Sequence, residues 1–350
     1  MNQVWKLGII GAGGISREHL KAARKDPRIT VSAIADVSLE LAEDRAKEFA
    51  IPSVYGNYSE LLEQTDIDAV IICLPNYLHA PVTLKAFANG KHVLCEKPLA
   101  LHAQEAQMML DASRAAGRIL MTGMNNRFRS EVIHCKRLIE QAKLGNIYHA
   151  KAAWVRRNGI PGWGSWFTQK EKSGGGPLID LGVHMLDATL WLLDFPKPHY
   201  VMAQTYAKFG PKRKGISEYG TQNPQGFYDV EDMVTALVQF ENGSTLSLEV
   251  SWASHIEQEQ AYIQLLGDEA GARISFEERQ LVVFEEQEGM LADKHIKSSH
   301  QNERSLLISH FIDVLEGKDN LCQPEQGVYM NQLIDAIYLS AQRREPVLFS

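Results

Sequence analysis

A glycine-rich turn, Gly11-Ala12-Gly13-Gly14-Ile15-Ser16, follows the apolar run Trp5–Ile10 and opens a helical pattern over residues 16–25. A second strand pattern, residues 30–35, ends at Asp36. Few folds use strand, glycine turn, helix and a strand ending in an acid in this order. It is the fingerprint of a dinucleotide-binding βαβ unit. Gly11 permits the tight turn, and Gly13 lets the backbone approach a pyrophosphate. The amide groups of Gly14 and Ile15 then open the helix at its positive dipole end. Ser16 stands where a third glycine or alanine is usual and is small enough to keep helix and strand close. Asp36 can accept the adenosine ribose hydroxyls and would repel a 2′-phosphate, which favours NAD over NADP. Gly11, Gly13, Gly14, Ile15 and Asp36 are therefore candidate cofactor residues.

Strand and helix patterns alternate to about residue 122. Helices are expected over 39–49, 58–62, 81–89 and 103–116, and strands over 69–74, 92–95 and 119–122. Such alternation implies a parallel sheet. The pattern then changes. A helix over 130–141 precedes long strand-like runs at 147–156, 201–208, 233–240, 245–251, 261–266, 273–276 and 281–285, with a turn signal at Glu241-Asn242-Gly243-Ser244. Helical patterns at 304–315 and 328–343 close the chain. The expected fold class is α/β: a Rossmann domain over residues 1–122, then an α+β domain with a mainly antiparallel sheet over 123–350. The closing helix is allowed to pack back on the first domain.

The 350 residues carry a net charge of −7 and are 45% hydrophobic. There is no basic excess to neutralise nucleic-acid phosphates or seek an anionic membrane. No run reaches the ~20 apolar residues of a membrane span, and the amino terminus does not read as a secretory signal. Cys73, Cys95, Cys135 and Cys322 form no Cys-x-x-Cys pair, so neither zinc nor a redox motif is expected. A reduced, cytoplasmic protein accounts for this pattern.

Three further segments bear chemistry. Leu74-Pro75-Asn76-Tyr77-Leu78-His79 and Cys95-Glu96-Lys97-Pro98 each leave a strand at the carboxyl edge of the sheet, where doubly wound folds bind ligands. Pro-Asn alone is an ordinary turn, and Lys97 alone an ordinary loop lysine. A lysine near a nicotinamide can exchange a proton with a substrate oxygen when its pKa is lowered. The third segment runs from Ser173 through Gly174-Gly175-Gly176-Pro177 to Asp180, His184 and Asp187. Its glycines suggest a mobile loop before a helix. Asp180 and His184, four apart, share a helical face at ~5–6 Å between Cβ atoms. The carboxylate can orient the imidazole for acid–base work. A structural pair or a metal site would use the same spacing, but no further ligand is evident and no metal is expected.

Taken together, the Gly11–Ser16 turn, Pro75-Asn76 with His79, Glu96-Lys97-Pro98, and Gly174–Gly176 with Asp180 and His184 resemble the Gfo/Idh/MocA oxidoreductases over essentially the whole chain. Glu-Lys-Pro after the fourth strand is the most diagnostic element. The resemblance implies a Rossmann domain, a second domain with a large open-faced sheet, and hydride transfer to or from a secondary hydroxyl carbon of a sugar, inositol or derivative. It implies that Lys97 and His184 are the acid–base groups and that Asp180 orients His184 and meets substrate. Leu74, Pro75, Asn76, His79, Glu96 and Asn125 would lie around NAD, and a cis peptide would precede Pro98.

Other candidates are open to two readings. Arg127 binds substrate or pairs with a carboxylate. The loop with Trp163 and Trp166 offers aromatic faces to a sugar or folds onto its own small core. Tyr228 is a further substrate candidate. A homodimer or homotetramer through the second sheet is expected, because an exposed apolar sheet face is costly. Two other functions fit the same residues: a glycosidase that uses NAD for transient oxidation at C3, and a non-catalytic NAD-binding sensor.

Overall fold

The computed structural model describes residues 4–297 and 301–349, in two compact units. Residues 1–125 and 302–331 belong to the first, and residues 126–301 and 332–350 to the second.

The first unit is built on six parallel strands: β1 (Trp5–Ile10), β2 (Ile29–Ala35), β3 (Ser53–Tyr55), β4 (Ala69–Ile72), β5 (His92–Cys95) and β6 (Leu120–Thr122). Their order is β3-β2-β1-β4-β5-β6, so the order of strand addition reverses between β1 and β4. The connecting helices are α1 (Gly14–Ala23), α2 (Leu39–Phe49), α3 (Tyr58–Leu62), α4 (His79–Ala88) and α5 (Ala103–Ala116). β4 and β5 are buried almost throughout, as expected for strands covered on both faces. Helix ends follow local chemistry. Ser38 accepts from Leu41 N–H to cap α2, and Gly117 ends α5 in the left-handed conformation. The β3 strand was not expected: three half-buried residues at a sheet edge carry no usable alternation.

The second unit opens with α6 (Ser130–Glu140) and β7 (Ile147–Val155), followed by the short α7 (Lys170–Ser173) and by α8 (Val183–Leu192). The remaining strands are β8 (Pro198–Tyr206), β9 (Met233–Phe240), β10 (Thr245–Ser251), β11 (Gln260–Gly267), β12 (Ala270–Ser275), β13 (Gln280–Gln287), β14 (Met290–Lys297) and β15 (Val347–Leu348). They form one sheet in the order β14-β13-β12-β11-β7-β10-β9-β8-β15. The β7–β10 pair is parallel and the other pairs are antiparallel. Along β9 buried residues alternate with half-buried or exposed ones, the signature of a sheet with one covered face. The edge strand β14 is largely exposed and carries Asp293, Lys294 and Lys297, charges that discourage further pairing.

Helix α9 (Glu303–Leu315) packs on α1 within the first unit. The second unit resumes inside α10 (Pro324–Arg343). No helix among the described residues is long and apolar enough to cross a membrane.

Candidate active site

The first unit brings the Gly-rich turn to the point where the strand order reverses. Gly11 has φ +101°, and a Cβ there would stand 2.5 Å from the Cys73 carbonyl oxygen just beyond β4. Only glycine fits that approach. At Gly13 and Gly14 a Cβ would meet nothing within 4 Å. No side chain caps the start of α1, and no acid lies in its first turn. Its amide groups and positive dipole end thus suit a pyrophosphate. Ser16 is fully buried, and its Oγ donates to the Gly13 carbonyl at 2.7 Å, closing the turn from below. Asp36 accepts Ala12 N–H at 2.7 Å and Ser38 N–H at 2.9 Å. It therefore braces the turn as well as standing where a ribose would be read.

The two following loops lie at the same sheet edge. Leu74 and Pro75 leave β4, Asn76–Leu78 form a short 3₁₀ turn, and His79 starts α4. Asn76 and His79 are buried. His79 Nδ1 is 2.7 Å from the Pro98 carbonyl oxygen and Nε2 is 2.9 Å from that of Leu74. Burial lowers its pKa. After β5 come Glu96 and Lys97, with a cis Lys97–Pro98 peptide. Asn125 ends the first unit's leading segment, its N–H donating to the Gly123 carbonyl.

In the second unit the glycines before Asp180 form a tightly held segment, which corrects the expectation of a mobile loop. A Cβ at Gly175 would lie 1.9 Å from Tyr338 Oη, and one at Gly176 would lie 2.0 Å from the Glu231 carbonyl oxygen. Glu231 Oε1 accepts Gly176 N–H at 3.0 Å, Leu178 N–H at 3.3 Å and Tyr338 O–H at 2.8 Å. Burial raises the Glu231 carboxyl despite these donors. The backbone then makes a π-helical turn, Leu178–Gly182, before α8. Asp180 sits in that wide turn and His184 just after it, so the pair does not have plain α-helical spacing. Asp180 Oδ2 accepts the indole N–H of Trp252 at 2.9 Å. Trp252 is completely buried one residue beyond β10. The His184 ring lies 6.2 Å from that of Trp154 on β7. Trp154 in turn donates to Glu259 Oε1 at 3.2 Å, and the Arg156 guanidinium covers its ring.

Four candidates are engaged elsewhere. Arg127 is 3% exposed and forms a two-pronged ion pair with Asp187, Nε to Oδ2 at 2.9 Å and Nη2 to Oδ1 at 2.5 Å. Of its two readings, the carboxylate pair is the one seen. Trp163 is buried with Ile160, Leu181, Val230 and Trp252, donates to the Gly210 carbonyl at 2.8 Å, and is covered by Arg213. The loop has folded onto its own core instead of presenting that indole as a lid, and half-buried Trp166 is stacked on Phe167. Tyr228 donates to the Glu231 carbonyl at 3.1 Å and presses on Gly210, and burial pushes its phenol up. No group of His, Cys, Asp and Glu that could hold a metal occurs among the described residues.

Trp252, Trp154, Glu231 and Tyr338 were not singled out from the sequence. Trp252 and Trp154 meet Asp180 and His184, and Glu231 and Tyr338 hold the Gly175–Leu178 stretch before them, each from a distant part of the chain, and no periodicity signals that.

Residues 5–124 match the oxidoreductase family described by its NAD-binding Rossmann fold, and residues 136–349 match that family's C-terminal alpha/beta domain. The chain belongs to this Gfo/Idh/MocA oxidoreductase family. It is 34% identical over 343 residues to D-glucoside 3-dehydrogenase of Escherichia coli (strain K12), covering 96% of this chain and 95% of that one. It is 33% identical over 193 residues to glucose-6-phosphate 3-dehydrogenase of Bacillus subtilis (strain 168), 54% of each chain. A solved levoglucosan dehydrogenase, in complex with NADH, superposes with a TM-score of 0.89 at 24% identity, covering 99% of this chain and 100% of that one. This last likeness concerns the fold. As a member of the family the chain is an NAD-dependent oxidoreductase, and the open, uncapped start of α1 fits the dinucleotide.

Proposed function

We propose that the protein oxidises or reduces the C3 hydroxyl carbon of a D-glucoside or similar pyranoside with NAD(H). The observation that carries this reading is the carboxylate of Asp180 on its π-turn, held by the Trp252 indole four residues before His184. A carboxylate held in this way can orient a nearby imidazole for acid–base work. The two relatives named as 3-dehydrogenases support the sugar and the carbon.

In this reading Gly11, Gly13, Gly14, Ile15 and Asp36 hold NAD in the first unit, with Leu74, Pro75, Asn76 and Asn125 lining its site. When bound, NAD supplies a hydride acceptor at the nicotinamide. Lys97 and His184 are the acid–base groups. One takes the hydroxyl proton during oxidation, and the positive charge of Lys97 stabilises developing alkoxide. Asp180 keeps His184 oriented. The second unit supplies the substrate side and, through the outer face of its sheet around Met202, Leu237 and Tyr262, the contact with a second copy. The four cysteines are buried and unpaired, consistent with a cytoplasmic protein.

The test is a screen of methyl β-D-glucopyranoside, glucose, glucose 6-phosphate and myo-inositol with NAD⁺ and NADP⁺, read by NADH absorbance, with light scattering for the oligomer. The glucoside with NAD⁺ should give turnover. Lys97→Met and His184→Ala should each lower kcat at least ~100-fold while NADH still binds. Near wild-type turnover in both variants would refute the assigned roles.

A further inference from the structure

The backbone that carries Lys97 is gripped on both sides by buried groups. On its amino side Glu96 is 6% exposed, and both of its oxygens are engaged. Oε2 accepts the Lys97 N–H at 3.1 Å. Oε1 accepts from Arg304 Nη1 at 2.7 Å and lies 2.6 Å from His19 Nε2. Arg304 sits in the first turn of α9, 208 positions along the chain, and His19 on α1. Gly123 closes on the same group, since a Cβ there would stand 3.4 Å from Glu96 Cα. On the carboxyl side, His79 contacts the Pro98 and Leu74 carbonyl oxygens and so bridges the loops after β4 and β5.

The protons of this cluster follow from its geometry. Arg304 Nη1 is also 2.9 Å from His19 Nε2, but Nε2 cannot donate to Glu96 and accept from Arg304 at once. His19 Nδ1 is buried with no hydrogen-bond partner among the described residues. A proton placed there would be an unmet buried donor, whereas a proton on Nε2 goes to a carboxylate. The arrangement thus assigns a neutral His19 that donates through Nε2 to an ionised Glu96, with Arg304 as the balancing cation. Burial lowers the His19 pKa in agreement with the neutral ring. Burial alone would raise the Glu96 carboxyl. The Arg304 charge and the His19 hydrogen bond override that and hold it well below the usual range.

We propose that Arg304, Glu96 and His19 are positioning residues for Lys97, fixing the backbone from which its amine works. The inference rests on the reading of Lys97 as an acid–base group. It also moves Glu96 from a direct cofactor contact to a brace, and α9 from a closing helix to part of the reaction machinery.

The test compares wild type, Arg304→Met, Arg304→Lys and Lys97→Met. Hydrogen exchange of the segment 95–100 reports the brace without any turnover. In Arg304→Met exchange should quicken at least tenfold there and remain unchanged in β1 and β4. Turnover of methyl β-D-glucopyranoside with NAD⁺ should fall at least tenfold. NADH affinity, read by fluorescence, should stay within threefold, and Arg304→Lys should recover most of the loss. Unchanged local exchange, or turnover within twofold of wild type, would overturn the inference. So would a loss confined to NADH affinity, which would make Glu96 a cofactor contact. If Arg304→Met fails to fold, the double variant Glu96→Gln/Arg304→Met removes both charges and is judged by the same readings. Retained turnover in Lys97→Met would defeat the role of Lys97, while the exchange result would still decide the brace.

Discussion

Asp180 shows how a single hydrogen bond can set the use of a side chain. Its Oδ2 meets an indole N–H from a tryptophan with no exposed surface, 72 positions away in sequence. Trp252→Phe keeps an aromatic ring at the site and deletes that donor, at the cost of some packing volume. A hydrogen bond to a charged group contributes about 1.5–3 kcal/mol, so kcat/KM should fall roughly ten- to a hundredfold if the orientation of Asp180 matters in the transition state. The pH profile adds a sharper signature. A carboxylate that loses a donor becomes easier to protonate, so the acid limb of kcat/KM should move to higher pH in the variant. Identical profiles and rates in the two proteins would show that Trp252 only packs.

At the scale of elements, glycines in two turns make opposite demands. The Gly13 backbone has space around it and opens α1, whereas Gly176 is pressed against the backbone of Glu231. Gly13→Ala should change folding stability by no more than an ordinary surface substitution, about ±0.5 kcal/mol, and so barely move the melting temperature, while its methyl group enters the phosphate cradle and weakens NADH binding. Gly176→Ala must displace the Glu231 carbonyl, an overpacking cost of about 1–3 kcal/mol, and should lower the melting temperature. Melting curves and NADH titrations on both variants check the contrast; a reversed pattern would mean that the two turns have been assigned the wrong roles. Most elements of both units were legible in the sequence, because apolar periodicity and Gly or Pro punctuation mark them. The edge strands β3, β14 and β15 were not, since short or solvent-facing strands lack the alternation that burial imposes. The π-turn at Leu178–Gly182 was invisible for a related reason: its sequence reads as helix, and the widening is set by groups packed on it from elsewhere.

The chain as a whole completes its first unit only when residues 302–331 have been made. Sequence could show α9 as a helix but not where it docks, because the docking groups are single polar residues far apart in the chain. Beside the Arg304 contacts, Arg28 gathers Asp26, Asp313 and Glu316, with Nη atoms 2.7–2.8 Å from their carboxylates. The hydrogen bonds from Arg28 pull the Asp26 carboxyl down to about 2, against roughly 3.9 for an unfolded aspartate. A depressed folded-state pKa stabilises above the unfolded value and loses its effect as pH falls through the folded one. The contribution is on the order of 1 kcal/mol at neutral pH, because the pair is partly solvated and screened. Denaturant unfolding of wild type and Asp26→Asn should therefore differ by about that amount at pH 7. The gap should narrow from about pH 5 downward and close only below the folded value, near pH 1. A gap of constant size across that interval would mean that Asp26 acts through shape alone, and that its ion pair with Arg28 does not contribute to holding the first unit together.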